Sequence, residues 1–264
     1  MIFDTHAHYD DHKFDDDRKE LLSGLFENGI GRIVNVASGL PSIQSTLTLA
    51  EEYPGIYAAA GVHPEELSGL DEENIGEVKK AASHEKVVAI GEIGLDYYYL
   101  GEDGKKTPEQ CKEEQKYWFG KQLDIARECG LPVIIHSRDA AKDTYDLLSK
   151  YHAEEIGGVI HCFSYSAEMA QEYVKMGFYI GFGGVVTFSN AKKVKEAAAS
   201  VPADRIVIET DCPYLAPVPN RGKRNSSANL PYVLETLAAI RGCSVAELEE
   251  VTWKNACRLY KLEE

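Results

Sequence analysis

Six residues whose side chains can bind a divalent metal ion stand at or near the ends of short apolar segments. They are His6, His8, Glu92, His136, His161 and Asp211. An ionisable side chain beside an apolar segment is unfavourable to bury unless it is paired or bound to a metal ion. This placement recurs at five segments, and the HxH spacing of the first segment directs both imidazoles to one side of an extended chain. The six residues together therefore predict a metal centre.

Each residue alone also has a structural explanation. Glu92 could be a charge at the rim of a strand, and Asp211 could cap a helix before Pro213. His136 and His161 could be hydrogen-bonded histidines of the core. The metal interpretation rests on the recurrence of these residues at equivalent places, which separate structural explanations do not account for.

The number of candidate ligands favours two metal ions. A catalytic zinc ion usually takes three protein ligands, whereas two ions about 3.5–4 Å apart that share a carboxylate would use all six residues. Glu92 is the expected bridge because it lies midway in strand order, with glycines nearby. One ion would then bind His6, His8 and Asp211, and the other would bind His136 and His161. Nitrogen and oxygen ligands leave magnesium, manganese, zinc and iron open.

Three further residues can assist such a centre. His63, in the motif GVHPEE, follows the third apolar segment and could contact an anionic or leaving group of a substrate, or be a loop histidine held beside Pro64. Glu209 and Asp96 could orient a metal ligand, or make purely structural hydrogen bonds.

Two segments of the sequence can contact a phosphate chain or bases. The segment PYLAPVPNRGKRNSS carries Arg221, Lys223 and Arg224, which would lie over the metal centre and bind phosphate, or form a solvated surface. Tyr97, Tyr98 and Tyr99 could stack on bases, or pack at the rim of the fold.

The net charge limits where nucleic acid could bind. The chain has 28 Lys and Arg against 43 Asp and Glu, which gives a formal charge of −15. Binding over the whole surface normally requires a basic face, so this charge argues against it. Two divalent ions would concentrate positive charge in the cleft and restrict recognition to one mouth.

Eight apolar segments separated by amphipathic stretches predict the elements that position these residues. They span residues 2–6, 32–36, 57–61, 87–92, 132–136, 157–161, 178–182 and 205–211. Most are continuously apolar, as in parallel strands buried on both faces. One strand for about every 33 residues matches a βα unit, so residues 1–264 are predicted to form a single (β/α)8 TIM barrel in one domain, rather than a large open sheet. Residues 238–248 and 251–262 are predicted to be the closing helices.

Other sequence features indicate a cytoplasmic protein. No run approaches the roughly 20 apolar residues of a membrane span, and the N-terminus lacks the basic and then apolar pattern of a signal peptide. The six cysteines form no CxxC motif, so we expect reduced thiols rather than disulfides. Nothing in the sequence indicates an obligate protein partner.

The motifs of this sequence resemble those of the TatD-type metal-dependent deoxyribonucleases of the amidohydrolase superfamily. From residue 3 to residue 225, they are FDTHAHYDD, GVHPEE, GEIGLDYYY, PVIIHSRDA, GVIHCFSYS, IVIETDCPYLAP and RGKRN. The resemblance implies a (β/α)8 barrel, two divalent ions on the six residues named above and a phosphate contact by His63. It also implies 3′ to 5′ exonuclease or related activity on DNA, with single-stranded ends as the expected substrate.

Two positions depart from the pattern of that family. Ser226 and Ser227 stand where the family usually has Glu-Pro, and Tyr165 stands where it usually has Gly. Both places are expected to flank the mouth of the barrel, and so to influence substrate preference rather than metal binding.

The expected mechanism is hydrolysis by an activated water molecule. Glu92 would bridge the metals, Asp211 would take a proton from the attacking water, and His63 would steady the phosphate or leaving group. One alternative is an amidohydrolase of a small ester, lactone or phosphoester. Several such enzymes bridge their metals with a carboxylated lysine at the fourth strand, where this chain has Glu92. A non-catalytic DNA-binding or scaffold protein is the other alternative, and it has no use for six aligned ligands.

Overall fold

Eight parallel β-strands form one sheet in the computed structural model, which describes residues 1–101 and 104–264. Each strand is hydrogen-bonded to its neighbour in chain order. The strands are β1 (Ile2–Ala7), β2 (Ile30–Val36), β3 (Ile56–Ala60), β4 (Val87–Asp96), β5 (Val133–Arg138), β6 (Gly158–Ile160), β7 (Tyr179–Phe182) and β8 (Ile206–Ile208). All eight predicted segments form strands, and the predicted (β/α)8 barrel is confirmed.

Helices alternate with the strands along the chain, as expected for a barrel. They are α1 (Arg18–Glu27), α2 (Leu40–Glu52), α3 (Gly76–Ala81), α4 (Pro108–Cys129), α5 (Ala141–Lys150), α6 (Ala167–Lys175), α7 (Lys192–Ser200), α8 (Leu230–Arg241) and α9 (Val245–Leu259). In the part of the chain that the structure describes, no helix has both the length and the apolar character needed to cross a membrane.

The boundary between the last two helices differs from the prediction. The segment 238–248 is not one helix, because α8 ends at Arg241 and Gly242 adopts a left-handed conformation with φ +68°. A new helix then begins after Ser244, whose hydroxyl accepts a hydrogen bond from the backbone N–H of Glu247. A left-handed glycine ends a helix and a serine cap starts one, and these signals override the continuous apolar periodicity.

An apolar cluster takes residues from every strand and from α9. Its members include Phe3, Val34, Ala59, Ala89, Ile134, Val159, Tyr179, Val207 and Tyr260. The Tyr260 hydroxyl donates a hydrogen bond to the backbone oxygen of Thr5, at 2.8 Å. Such a packed interior supports the strand ends without leaving a channel through the barrel.

The barrel closes between β1 and β8 through few backbone contacts. Ala7 and Cys212 form an isolated parallel bridge. The backbone N–H of His8 donates to the oxygen of Cys212 at 2.8 Å, and the N–H of Asp211 donates to the oxygen of His6 at 3.0 Å. These contacts join two segments that carry predicted metal ligands, so closure of the barrel also sets their separation.

The buried carboxylate of Asp4 strengthens this seam. Its Oδ1 accepts from the backbone N–H of Thr210 at 3.0 Å, and its Oδ2 accepts from the Thr210 hydroxyl at 2.7 Å. The hydroxyl of Ser227 donates to the same Oδ2 at 2.6 Å. Ser227 is fully buried, so its side chain supports the seam and is not exposed at the mouth, contrary to the expectation for this position. A proline there could not supply this hydroxyl.

Candidate metal centre

The six predicted ligands meet at the carboxyl ends of the strands. His6 lies in β1, Glu92 in β4 and His136 in β5, while His161 immediately follows β6. Asp211 follows β8, in a left-handed backbone conformation with φ +56°. A left-handed conformation costs a residue other than glycine about 1 kcal/mol. The backbone N–H of Asp211, in this conformation, donates a hydrogen bond to the backbone oxygen of His6 at the barrel seam.

Donor atoms of β1, of His8 and of the segment after β8 lie close to the spacing that one ion requires. His6 Nε2 is 3.0 Å from His8 Nε2. Asp211 Oδ1 is 3.9 Å from His6 Nε2 and 3.4 Å from His8 Nε2. Two atoms that bind one ion at 2.0–2.2 Å are held about 3.0–3.6 Å apart, so this arrangement is close to the spacing of a metal site. Imidazole and carboxylate donors suit zinc and manganese, and carboxylates also suit magnesium.

The two carboxylate oxygens of Glu92 face different histidines. Oε2 lies 3.4 Å from His6 Nε2 and 3.9 Å from His8 Nε2. Oε1 lies 2.7 Å from His136 Nδ1 and 3.7 Å from His161 Nε2. A carboxylate that serves two metal ions must present one oxygen to each, so this geometry fits a bridging role.

His161 lies between the two groups of ligands instead of only beside His136. Its ring stacks on the ring of His6, with centroids 3.6 Å apart, and its Nε2 is 3.8 Å from Asp211 Oδ1. His136 packs instead against His63, with ring centroids 4.3 Å apart. The arrangement therefore brings all the predicted ligands together but does not divide them into the two sets predicted above.

Polar partners behind the imidazoles orient their rings. His8 Nδ1 lies 2.7 Å from the backbone oxygen of Val36, to which it can only donate, so its Nε2 is left unprotonated toward the centre in the neutral ring. Glu209 Oε1 lies 3.1 Å from His161 Nδ1. A carboxylate or carbonyl behind an imidazole sets its tautomer and increases its basicity as a ligand.

Asp96 has the equivalent place behind His136. Its Oδ2 lies 2.9 Å from His136 Nε2, and the opposite nitrogen of the ring faces Glu92. Asp96 Oδ1 also accepts the backbone N–H of Tyr98 at 2.8 Å. One carboxylate thus links a predicted ligand to the loop that follows β4.

Electrostatic interactions stabilise charged forms throughout the centre. Burial alone would raise the pKa of Glu92, but His161, His6 and His136 hold it well below the ordinary value. Burial has the opposite effect on His8 and would lower its pKa, but the Asp211 carboxylate raises the pKa of His8 to about 9. The pKa of His136 rises to about 9, despite burial, through Asp96 and Glu92. Buried charges are stable only beside opposite charges. The imidazolium groups neutralise the carboxylates here, and a bound metal cation would neutralise the same carboxylates.

His63 is held as a neutral imidazole. Burial lowers its pKa to about 3, and the neighbouring His136 contributes in the same direction. Its Nδ1 accepts the backbone N–H of Glu65 at 3.1 Å, so the ring proton resides on Nε2, which lies 3.9 Å from Glu92 Oε1. His63 therefore presents a hydrogen-bond donor to the centre, although its position is also within the range of a metal ligand.

A cavity of about 740 Å³ opens above these residues. Arg138 lines it, whereas the structure does not bring Lys223 or Arg224 to its wall. Arg224 instead pairs with Asp17 through two hydrogen bonds, of 2.8 and 2.5 Å, and Lys223 contacts Asn220. Sequence reasoning missed Arg138; the signal was its position two residues after His136 on the same strand.

The three tyrosines after β4 have different environments. The hydroxyl of Tyr97 donates to Asp143 at 2.8 Å, and the ring packs against the core. Tyr98 and Tyr99 are exposed, and Tyr99 lines the cavity. Tyr165, at a position where the resembled family usually has glycine, directs its hydroxyl to Ser137 at 3.0 Å and is not among the residues that line the cavity.

A barrel with clustered histidines and carboxylates at the carboxyl ends of its strands is the arrangement of a metal-dependent hydrolase, and comparisons with known proteins agree. The family model described as TatD related DNase matches residues 3–261. This chain belongs to that family.

Three relatives illustrate the similarity. A protein of Bacillus subtilis, named as the uncharacterized metal-dependent hydrolase YabD, is 44% identical over 262 residues, which cover 99% of this chain and 100% of the relative. The 3′-5′ ssDNA/RNA exonuclease TatD of Cronobacter sakazakii is 33% identical, over 98% of this chain and 97% of its own. The crystal structure of YjjV, a TatD homologue from Escherichia coli, superposes with a TM-score of 0.90 at 31% identity and covers 99% of this chain and 98% of that chain.

Proposed function

We propose that this chain hydrolyses phosphodiester bonds of DNA, removing nucleotides from the 3′ ends of single strands with the help of two divalent ions. The observation that carries the proposal is the placement of Glu92, whose two oxygens face separate histidines. The name of the Cronobacter relative supports a single-stranded nucleic acid as the substrate. Magnesium, manganese and zinc all fit the donor atoms.

The six ligands divide the work of holding the ions. His6, His8 and Asp211 would hold one ion, His136 would hold the other, Glu92 would contact both, and His161, which lies between the two groups, could bind either ion. When bound, the ions lower the pKa of water and polarise the phosphate that is attacked.

Two further groups act on the substrate and on water. Burial alone would raise the pKa of Asp211, but His8 and the neighbouring histidines hold it below its ordinary value, so the carboxylate is ionised at neutral pH. Because Asp211 also lines the cavity, it can accept a proton from water at that wall. The Nε2–H of His63 would donate to a phosphate oxygen or to the leaving oxygen.

Substrate recognition would be restricted to the mouth. The chain carries a net charge of −15, which repels polyphosphate from most of the surface. Arg138 is better placed than Lys223 or Arg224 for a contact near the centre, because it lines the cavity. Lys223 and Arg224 would contact the strand only further out, after Arg224 leaves Asp17.

Metal analysis beside a DNA digest tests this function. The wild-type protein should bind two ions per chain and shorten a 5′-labelled single strand from its 3′ end in single-nucleotide steps. Glu92→Gln should lose bound metal and at least 99% of the activity, an expected effect of about two orders of magnitude or more for loss of a bridging ligand. Glu235→Gln, on the exposed side of α8, is the matched control and should retain both.

Three results would contradict the proposal. Full DNA hydrolysis by the Glu92→Gln protein would exclude the bridge. Two bound ions without DNA cleavage would instead indicate a hydrolase of small esters, lactones or phosphoesters. Absence of bound metal would favour a non-catalytic protein.

A further inference from the structure

A cationic aromatic cluster lies beside the metal centre. Tyr98 and Tyr99 expose 54% and 46% of their surface, and their rings meet edge to face with centroids 4.5 Å apart. The guanidinium of Arg138 lies 3.8 Å from the centroid of the Tyr98 ring and 5.0 Å from that of the Tyr99 ring. We call these three residues the Tyr-Arg cluster.

The Tyr-Arg cluster is attached rigidly to a metal ligand. Arg138 follows His136 by two residues on β5, so both side chains project to the same side of the strand. The backbone N–H of Tyr97 donates to the oxygen of Arg138 at 2.9 Å. Asp96 contacts both His136 and the N–H of Tyr98, as described above. The distance between the cluster and the centre is therefore set by hydrogen bonds rather than by a free loop.

The tyrosines of the loop after β4 differ in their contacts with the described residues. Tyr97, on the same loop, is tied to Asp143 and packs against the core. Tyr99, in contrast, lines both the 740 Å³ cavity and a neighbouring cleft of about 350 Å³. An exposed aromatic ring that lines two neighbouring cavities is accessible to a planar ligand.

The charges around the cavity identify the kind of ligand. Asp10, Asp11, Glu65 and Glu66 also line it, and Arg138 is the only arginine or lysine among the described lining residues. A duplex with its dense phosphates would meet this acidic rim, whereas one phosphate of a single strand can reach Arg138 while its base stacks on an aromatic ring.

We propose that the Tyr-Arg cluster is a nucleotide subsite, in which Tyr99 stacks on the base next to the bond that is cleaved and Arg138 contacts the phosphate of that nucleotide. Tyr98 is a positioning residue, because its ring packs against the guanidinium of Arg138. The subsite rests on the proposed function and deepens it, because it makes hydrolysis depend on a nucleotide beyond the reacting phosphate. Stacking is tolerant of base identity, so the subsite favours single strands without selecting a sequence.

Two phosphodiester substrates of different length distinguish an effect on the nucleotide subsite from an effect on the metal centre. Single-stranded hexathymidylate can occupy both, whereas bis(p-nitrophenyl) phosphate offers a bond to cleave without a neighbouring nucleotide. For Tyr99→Ala, the ratio of kcat/KM on hexathymidylate to kcat/KM on the small diester should fall about tenfold or more, the usual effect of removing one base stack. Tyr99→Phe should retain the wild-type ratio, because the ring remains.

Further variants control for stability and for general surface effects. Arg138→Ala should lower the same ratio and weaken its dependence on salt, because a phosphate contact is lost. Tyr117→Ala removes an exposed tyrosine of α4 that lies outside both cavities, and it should leave the ratio at its wild-type value. Thermal midpoints of all variants verify that each is folded.

The outcomes distinguish failure of the subsite from failure of the proposed function. A wild-type ratio for Tyr99→Ala, with both substrates hydrolysed, overturns the subsite alone. An equal loss on both substrates also overturns it, because the tyrosine would then act only through the metal ligands. A wild-type enzyme that cleaves the small diester but no oligonucleotide overturns both proposals.

Discussion

The imidazoles of the centre differ in what lies behind each ring. His8 has a backbone carbonyl there and His161 has Glu209, so each can direct its Nε2 toward the cavity. His6 Nδ1 and His161 Nδ1 are both buried without a hydrogen-bond partner among the described residues, although the carboxylate oxygen Oε1 of Glu209 lies 3.1 Å from His161 Nδ1. His63 has a backbone N–H behind Nδ1, which places its proton on the side facing the centre. These differences separate residues suited to bind an ion from a residue suited to bind substrate.

Substitution of His63 tests this separation. His63→Ala should keep the wild-type metal content and lower kcat about a hundredfold, the usual effect of removing one donor to a charged transition state. Metal per chain by mass spectrometry and steady-state kinetics on labelled DNA measure the two effects. His84→Ala, at a half-buried histidine that contacts Glu51, is the control. Loss of metal from His63→Ala would instead make His63 a ligand.

Among the strands and helices, different features of the sequence set the position of strand ends, of helix ends and of the barrel seam. The strands bring the ligands together because the carboxyl ends of parallel strands share one rim of the barrel. The boundary between α8 and α9 is set by Gly242 and Ser244, two local signals that apolar periodicity does not contain. The seam between β1 and β8 depends on Asp4, a carboxylate that a reading based on apolar segments had not singled out.

Removal of Asp4 should weaken the closure of the barrel. Asp4→Ala would leave the Thr210 and Ser227 hydroxyls and two backbone N–H groups without their buried acceptor, which should lower the free energy of unfolding by about 3 kcal/mol. Urea denaturation of the metal-free protein measures the change. Asp16→Ala, at an exposed position, should have little effect. A loss below about 1 kcal/mol for Asp4→Ala would show that the backbone contacts close the barrel unaided.

For the whole molecule, acidity and metal binding are connected. Part of the charge of −15 comes from carboxylates that face the centre, and bound ions would offset it. In the metal-free protein, imidazolium ions serve this purpose: carboxylates raise the pKa of His161 to about 10, against the opposing effect of burial. Protons and metal ions therefore compete for the same nitrogen atoms.

This competition predicts how pH affects the stability gained from metal. The raised pKa values of His8, His136 and His161, about 9, 9 and 10, contribute stability to the metal-free protein that is complete below pH 6.5 and is lost as pH rises through 9 to 10. Metal affinity changes in the opposite direction, because fewer protons must be displaced at higher pH.

The thermal midpoint should therefore respond to chelation more strongly at high pH. Removal of metal with EDTA should lower the midpoint by about 10 °C at pH 8, if the ion is present at about a thousand times its Kd. The difference should be clearly smaller at pH 6. Differential scanning calorimetry at both pH values measures it, and a larger effect of EDTA at pH 6 would contradict the assigned proton competition.

The sequence alone was sufficient to predict the eight strands, the barrel and the residues that converge at its mouth. It could do so because apolar runs and residue order are local properties, and parallel connectivity sends every strand end to one rim. Other features became known only from the folded chain: the ring tautomers, the orientation of Glu92, the place of His161 between two groups of ligands, and the exposure of Tyr98 and Tyr99. They depend on distances of a few ångströms between residues far apart in the chain, as in the contact of His136 with Glu92, 44 positions away. For the same reason, the sequence did not predict that Arg224 pairs with Asp17 while Arg138 lines the cavity. A sequence shows which residues are charged, but the folded structure sets which groups each charge contacts.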